Sequence, residues 1–357
     1  MTNKIPVAII GATGAVGQRF IQLLQNHPTF QIMALGASDR SEGKPYAEAA
    51  HWILDTEIPK EIRDWRLGAS NPKSLISNLQ SPPQFVFSAL PNDLAKDIEP
   101  AFAQAGMVVF SNASYYRMGA DVPLVIPEIN WQHLNLIKAQ RTQRGWSGGI
   151  VCNTNCTVSG PALSLRPLHD AFGIQRVFSV SMQAISGAGY PGVASLDIHD
   201  NVVPFIKNEE EKFEQEAQKL LGTLGDGQID MAAFPVSAHC NRVGVIDGHM
   251  VTMSVELATK ATPEEVTRVM RSFCCEMTQG LPMSPEHPIV VRDEPDRPQP
   301  RKDRLIGKGM SCVVGRTRRE PLFGDYGIKF MTLAHNTIRG AAGGSILNAE
   351  VFVKMGL

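Results

Sequence analysis

Between Ile5 and Leu24 the chain reads IPVAIIGATGAVGQRFIQLL, and this stretch constrains the fold more than any other. Ile5–Ile10 is a continuous apolar run rich in β-branched residues, the pattern of a strand buried on both faces. It passes directly into a glycine turn, Gly11-x-x-Gly14-x-x-Gly17, and then into a run with helical spacing at Phe20, Leu23 and Leu24. A second apolar stretch, FQIMALGAS, follows, so the unit reads strand, glycine turn, helix, strand. Glycines there let a backbone approach a pyrophosphate, and a helix N-terminus supplies N–H donors and partial positive charge. Gly11, Thr13, Gly14, Ala15 and Val16 are therefore expected to bind a dinucleotide. The G-x-x-G-x-x-G spacing also suits a plain tight turn between strand and helix, and position after a first strand favours the dinucleotide.

The end of the second strand selects between cofactors, because a 2′-phosphate wants donors and positive charge where a free ribose wants an acid. Here Ser38, Arg40, Ser41 and Lys44 surround a single Asp39, which predicts NADP. Two further buried-type strands, in PQFVFSALPND and MVVFSNAS, would bring Ser88, Leu90 and Pro91, then Ser111 and Asn112, to the cofactor edge of an open parallel sheet with helices on both faces. Residues 122–130 read as a strand or extended connection.

The 357 residues are a prior for two domains or one large one. They are 43% hydrophobic and 19% charged, with a net charge of −1. No block of one sign appears, which argues against a nucleic-acid or membrane-surface partner. No apolar run reaches the roughly 18 residues of a membrane span, and the leading residues read as a first strand rather than an export signal. The six cysteines read as free thiols of a cytoplasmic protein, and their pairs lack zinc-ligand spacing. No metal is expected.

One cysteine stands apart. In GGIVCNTNCTVSGPALSLRPLHDAF, Cys152 belongs to an apolar strand, whereas Cys156 precedes a helix that Thr157 or Ser159 would cap. A thiol at a helix N-terminus is expected to have a lowered pKa; the alternative is an inert packed cysteine. After it, QRVFSVSMQAI and GHMVTMSVELAT read as strands of an α+β domain with an antiparallel sheet. EEEKFEQEAQKLLG and TPEEVTRVMRSFCCEM read as helices, the second opened by a Thr262/Glu265 capping box. Residues 286–304 read as a surface excursion.

SNASYYRM, NTNCTVSGPALSL, SMQAISGAGYPGV, NRVGVIDGHM and HNTIRGAAGGSILNAE occur in an order and spacing that resembles the aspartate-β-semialdehyde dehydrogenases, most of all the branch with archaeal and fungal members. The resemblance implies a Rossmann-type NADP-binding domain of residues 1–155 and 336–357, and a catalytic and dimerisation domain of residues 156–335. It implies Cys156 as nucleophile, His249 as general acid/base and Gln183 as the amide that orients substrate. Arg242 would clamp the α-carboxylate and Glu209 the α-amino group, with Glu210 the alternative register. Lys212, Arg117 and Asn112 would serve phosphate, and Asn155 would contact the thiol. Ser186, Gly187 and Asn336 would meet the nicotinamide. The implied activity interconverts aspartyl phosphate and aspartate semialdehyde in lysine, methionine and threonine biosynthesis, in a homodimer or homotetramer. A malonyl-CoA reductase shares the Cys, His, Gln and Arg logic and is the nearest rival. Other acyl-phosphate reductases fit less well. A non-catalytic NADP-binding or redox-sensing protein would need none of Cys156, Gln183, Arg242 and His249.

Overall fold

The computed structural model describes residues 4–76, 79 and 81–357; the first three residues of the leading segment lie outside the described residues. Seven strands form the first sheet: β1 Ile5–Ile10, β2 Phe30–Ala37, β3 Gly68–Ala69, β4 Phe85–Ser88, β5 Val108–Ser111, β6 Leu124–Val125 and β7 Gly149–Asn153. Their order is β3-β2-β1-β4-β5-β7-β6, and every pairing is parallel. The order reverses between β1 and β4, which opens a crevice at the carboxyl ends of those strands.

Strand alternation sorts the core into two layers. Val7 and Ile9 face one side with Phe85, Phe87 and Phe110, while Ala8, Ile10 and Val86 face the other. Helices α1 Ala15–Leu24, α2 Asn92–Gln104 and α3 Leu136–Arg144 cover the two faces, α2 on the second. Residues 122–130 depart from the extended reading: after β6 the chain turns into a short helix at Pro127–Asn130, opened by a proline at the first helical position.

The second sheet contains β8 Ile174–Gln183, β11 Val236–Arg242, β12 His249–Leu257, β13 Ile289–Arg292, β14 Cys312–Arg319 and β15 Gly327–Ala334, in the order β11-β8-β12-β15-β14-β13. A small ribbon, β9 Thr223–Leu224 with β10 Ile229–Asp230, lies apart. The sheet is mixed rather than antiparallel, because β8 pairs parallel with β11 and β13 with β14. A parallel pair needs a crossover. A helix provides the first one, and the 286–304 segment contributes strand β13 to the second pair instead of looping freely. Within that segment Asp303 is fully buried and accepts from Arg297 and the Gln299 N–H.

Helices α4 Ser159–Phe172, α5 Glu209–Leu220, α6 Pro263–Arg271 and α7 Gly343–Lys354 complete the molecule. The Thr262/Glu265 capping box forms at α6, which stops at Arg271, short of the expected Met277. Helix α7 returns to the first sheet, buried from Gly343 through Phe352, and Phe352 meets Phe85 and Phe110 edge-on at 5.8 Å. Among the described residues no helix is long and apolar enough to cross a membrane.

Candidate active site

Three strand ends of the second sheet converge on the loop that leaves β7. Arg242 pairs in register with Gln183, so the parallel strands β11 and β8 end side by side. Antiparallel β12 begins beside them at His249, its next residue opposite Met182. Cys156 approaches from the first sheet, and its Sγ lies 3.3 Å from His249 Nε2. The ring's other nitrogen accepts the Ala184 N–H at 3.0 Å. The segment before α7 closes over the loop: a side chain at Gly340 would sit 2.7 Å from the Cys156 Cα and Cβ.

The helix after Cys156 is not capped by Thr157 or Ser159. Its N-cap is Val158, with no side-chain bond. Asn155 supplies the turn instead: its Oδ1 accepts the Thr157 N–H at 2.7 Å and the Val158 N–H at 3.4 Å. The thiol also departs from the lowered pKa expected at a helix end. Burial pushes it up to about 12, with Glu209 adding and Arg117 and Arg242 opposing. Burial likewise drives His249 down to about 3, helped by Arg242 and His335. The resting pair is a neutral thiol facing a neutral imidazole.

The charged residues fall into two groups. Arg242 is buried, donates from Nη1 to the Ala184 carbonyl at 2.8 Å, and has no acidic ion-pair partner among the described residues. Burial pulls its pKa down, while Cys156 and Glu209 act the other way. A buried unpaired guanidinium is costly and is the signature of a site built for an anionic ligand. Arg117, by contrast, is ion-paired: Nη1 meets Glu216 at 2.9 Å and Nη2 donates to the Asn112 carbonyl at 2.7 Å. Its Nε is buried and has no partner among the described residues, and each terminal nitrogen keeps a second N–H beyond these two bonds.

Glu209 faces this centre. Its Oε1 accepts from Asn155 Nδ2 and Thr157 Oγ1, each at 3.0 Å, and Lys212 lies 4.0 Å from Oε2. Glu210 turns away and accepts the Cys240 N–H. Gln183 is buried, its Nε2 3.2 Å from Ser181 Oγ. The Asn112 side chain is engaged by Ser88, Asn153 and Ser345, so it braces the β5 end.

Several of the residues expected to meet the cofactor line a single cleft. Gly11 takes φ +72°, and a Cβ there would stand 2.6 Å from the Ala89 carbonyl oxygen. The first-turn N–H groups of Ala15, Val16 and Gly17 have no acceptor among the described residues, which fits a pyrophosphate. Thr13, Gly14, Ser38, Leu90 and Pro91 line a cavity of about 500 Å³. Ser70, Asn71, Leu94 and Ile98 line it too, and sequence reasoning missed them. Arg40 is exposed without an ion pair among the described residues, and Ser41 is half-buried beside it. Ser88 is fully buried and does not line the cleft, because the last residue of β4 turns inward. On the reacting side, Asn336 accepts the Gly248 N–H and donates to Ser186 Oγ. Gly187 lies against Arg242 Nη1 and the His249 ring. A second cavity of about 270 Å³ runs from Ala15 to Ser186 and Thr337.

Comparison with known proteins agrees with this geometry. Residues 6–137 match the model of the semialdehyde dehydrogenase NAD-binding domain, and residues 165–339 that of the semialdehyde dehydrogenase dimerisation domain. The aspartate-semialdehyde dehydrogenase of Archaeoglobus fulgidus is 51% identical over 98% of both chains. That of Schizosaccharomyces pombe is 48% identical, again over 98% of both. The crystal structure of the Candida albicans aspartate-semialdehyde dehydrogenase with NADP superposes with a TM-score of 0.88 at 40% identity, covering 98% of this chain and 99% of that one. The chain belongs to the aspartate-semialdehyde dehydrogenase family.

Proposed function

We propose that the chain is an NADP-dependent aspartate-semialdehyde dehydrogenase that interconverts L-aspartate 4-semialdehyde and L-4-aspartyl phosphate through an acyl-thioester on Cys156. The carrying observation is the Cys156–His249 pair beside Arg242, a buried cation without a carboxylate partner among the described residues. Arg242 takes the substrate α-carboxylate in a two-pronged hydrogen bond, and Glu209 with its Oε2 takes the α-amino group. Gln183 orients the aldehyde.

The Cys156 sulfur adds to the aldehyde carbon as its S–H bond breaks, and the carbonyl electron pair moves to oxygen, which takes up the proton that the thiol loses. His249 is the hydrogen-bond donor poised at that oxygen and sulfur. NADP⁺ bound in the glycine-turn cleft supplies the hydride acceptor. The C–H bond gives its hydride to that acceptor while the hydroxyl proton passes to solvent, leaving a thioester on Cys156. A phosphate oxygen, held by Arg117 and Lys212, then attacks the thioester carbon. The C–S bond breaks, aspartyl phosphate departs and the sulfur regains its proton. In the biosynthetic direction, toward lysine, methionine and threonine, the steps reverse.

The reading places the enzyme in the cytoplasm, with residues 1–155 and 336–357 binding the cofactor and residues 156–335 carrying catalysis and dimerisation. Self-association into a dimer or tetramer is supported by the open face of the second sheet, where Phe178 is exposed and Val180 and Met331 half-buried. The test is NADPH formation from aspartate semialdehyde with phosphate, arsenate or coenzyme A as acceptor. Turnover that needs phosphate or arsenate supports the proposal. Silence with phosphate, together with NADPH oxidation by malonyl-CoA, overturns it.

A further inference from the structure

Helix α5 does more than present Glu209. Glu210 and Glu214 accept the Cys240 and Ala238 N–H groups and so fasten the helix to β11. Glu216 points the other way and is 1% exposed. Its Oε1 accepts from Arg117 Nη1 at 2.9 Å, and its Oε2 accepts the Asn155 N–H at 2.6 Å and Thr154 Oγ1 at 3.1 Å. One carboxylate thus joins Arg117 to the two residues that precede Cys156. Lys219, one turn further, donates to the carbonyls of Arg117, Gly119 and Val122. Both the side chain and the backbone of Arg117 are gripped by the same helix, and its Nε remains buried and unpartnered among the described residues.

We propose that Glu216 is a positioning residue for the acyl-acceptor step. It fixes the Arg117 guanidinium so that the N–H groups not taken by Glu216 and the Asn112 carbonyl are aimed at the incoming phosphate. This rests on the reading of Cys156 as the acylated thiol and Arg117 as a phosphate ligand. Only an ionised carboxylate can do this job. Its two oxygens face three donors, so a glutamine amide sets its NH₂ against a donor whichever way it is turned. Aspartate keeps the charge, but a shorter side chain cannot reach both partners.

The experiment compares wild type, Glu216→Gln and Glu216→Asp by KM for phosphate, KM for aspartate semialdehyde, and the phosphate-free burst of NADPH. Glu216→Gln is expected to raise KM for phosphate about tenfold, the loss expected when a charge-assisted hydrogen bond is misaligned. Burst amplitude and KM for the semialdehyde, which Arg242 and Glu209 set, stay within about twofold. In an Arg117→Ala background the Glu216→Gln effect on phosphate disappears, as expected for two groups acting as one unit. If wild type itself ignores phosphate, the functional reading fails before Glu216 is at issue. If wild type uses phosphate and the glutamine variant keeps its KM, or loses both KM values equally, the positioning role is wrong. Should the glutamine variant not fold, the aspartate variant gives the same comparison.

Discussion

His249 Nδ1 accepts the Ala184 N–H, and this fixes which nitrogen of the ring carries the proton. A neutral ring with Nδ1 as acceptor bears its hydrogen on Nε2, 3.3 Å from the Cys156 sulfur. In the resting enzyme the histidine is therefore a donor toward sulfur and does not take the thiol proton.

That arrangement has a signature in reactivity. A thiolate–imidazolium pair would alkylate at a constant rate between its two pKa values. Here the thiol is pushed up to about 12 and the imidazole down to about 3. The rate of Cys156 alkylation by iodoacetamide in the free enzyme should climb roughly tenfold per pH unit from about pH 6 to 10, without a plateau. A flat profile over that range would show a preformed ion pair instead.

Acid should destabilise the fold through its buried histidines. Burial lowers His133 and His335 to about 4 and His249 to about 3. Their unfolded value lies near 6.5, so below it the unfolded chain binds protons that the folded chain refuses. Stability is fully present above pH ~6.5 and falls toward pH ~4. Denaturant midpoints across that range check the sign, and His133→Gln should shallow the slope.

Arg242 separates recognition from chemistry. Arg242→Ala should lower kcat/KM for the semialdehyde roughly ten- to hundredfold, the value of about 1.5–3 kcal/mol for hydrogen bonds to a charged group. Arg242→Lys keeps the charge but loses the planar fork, and should fall between the two. Steady-state kinetics with saturating NADP⁺ read this directly, and an unchanged kcat/KM would remove Arg242 from the substrate site.

Cofactor choice turns on the residues after β2. Arg40→Ala should raise KM for NADP⁺ about tenfold and leave KM for NAD⁺ unaltered, because only the former offers a 2′-phosphate. Equal effects on both would place the arginine elsewhere.

Much of this was legible in the residues. The apolar run before Gly11 and the helical spacing after Gly17 identify the cofactor-binding sheet, because burial on both faces leaves little choice of sequence. What stayed hidden depends on partners distant in the chain. Arg117 was expected at the phosphate, but nothing in its local sequence signals its ion pair with Glu216, 99 residues later. The pKa of Cys156 was misread because local sequence reports a helix end and says nothing of the packing around the sulfur. Asn155 was expected to touch the thiol, and it shapes the turn instead, a role that its position before Thr157 and Val158 allowed. The parallel β8–β11 pair was missed because the crossover helix, rather than the strands, determines the direction.

In the proposed mechanism Cys156 carries the acyl group before phosphate arrives. Stopped-flow absorbance with aspartate semialdehyde and NADP⁺, without phosphate, tests it most directly, followed by intact-protein mass spectrometry of the quenched enzyme. A stoichiometric NADPH burst, an acyl adduct on Cys156, and steady turnover once phosphate is added are expected, all absent in Cys156→Ser. A burst that survives in Cys156→Ser, or no NADPH until phosphate is present, would contradict that mechanism.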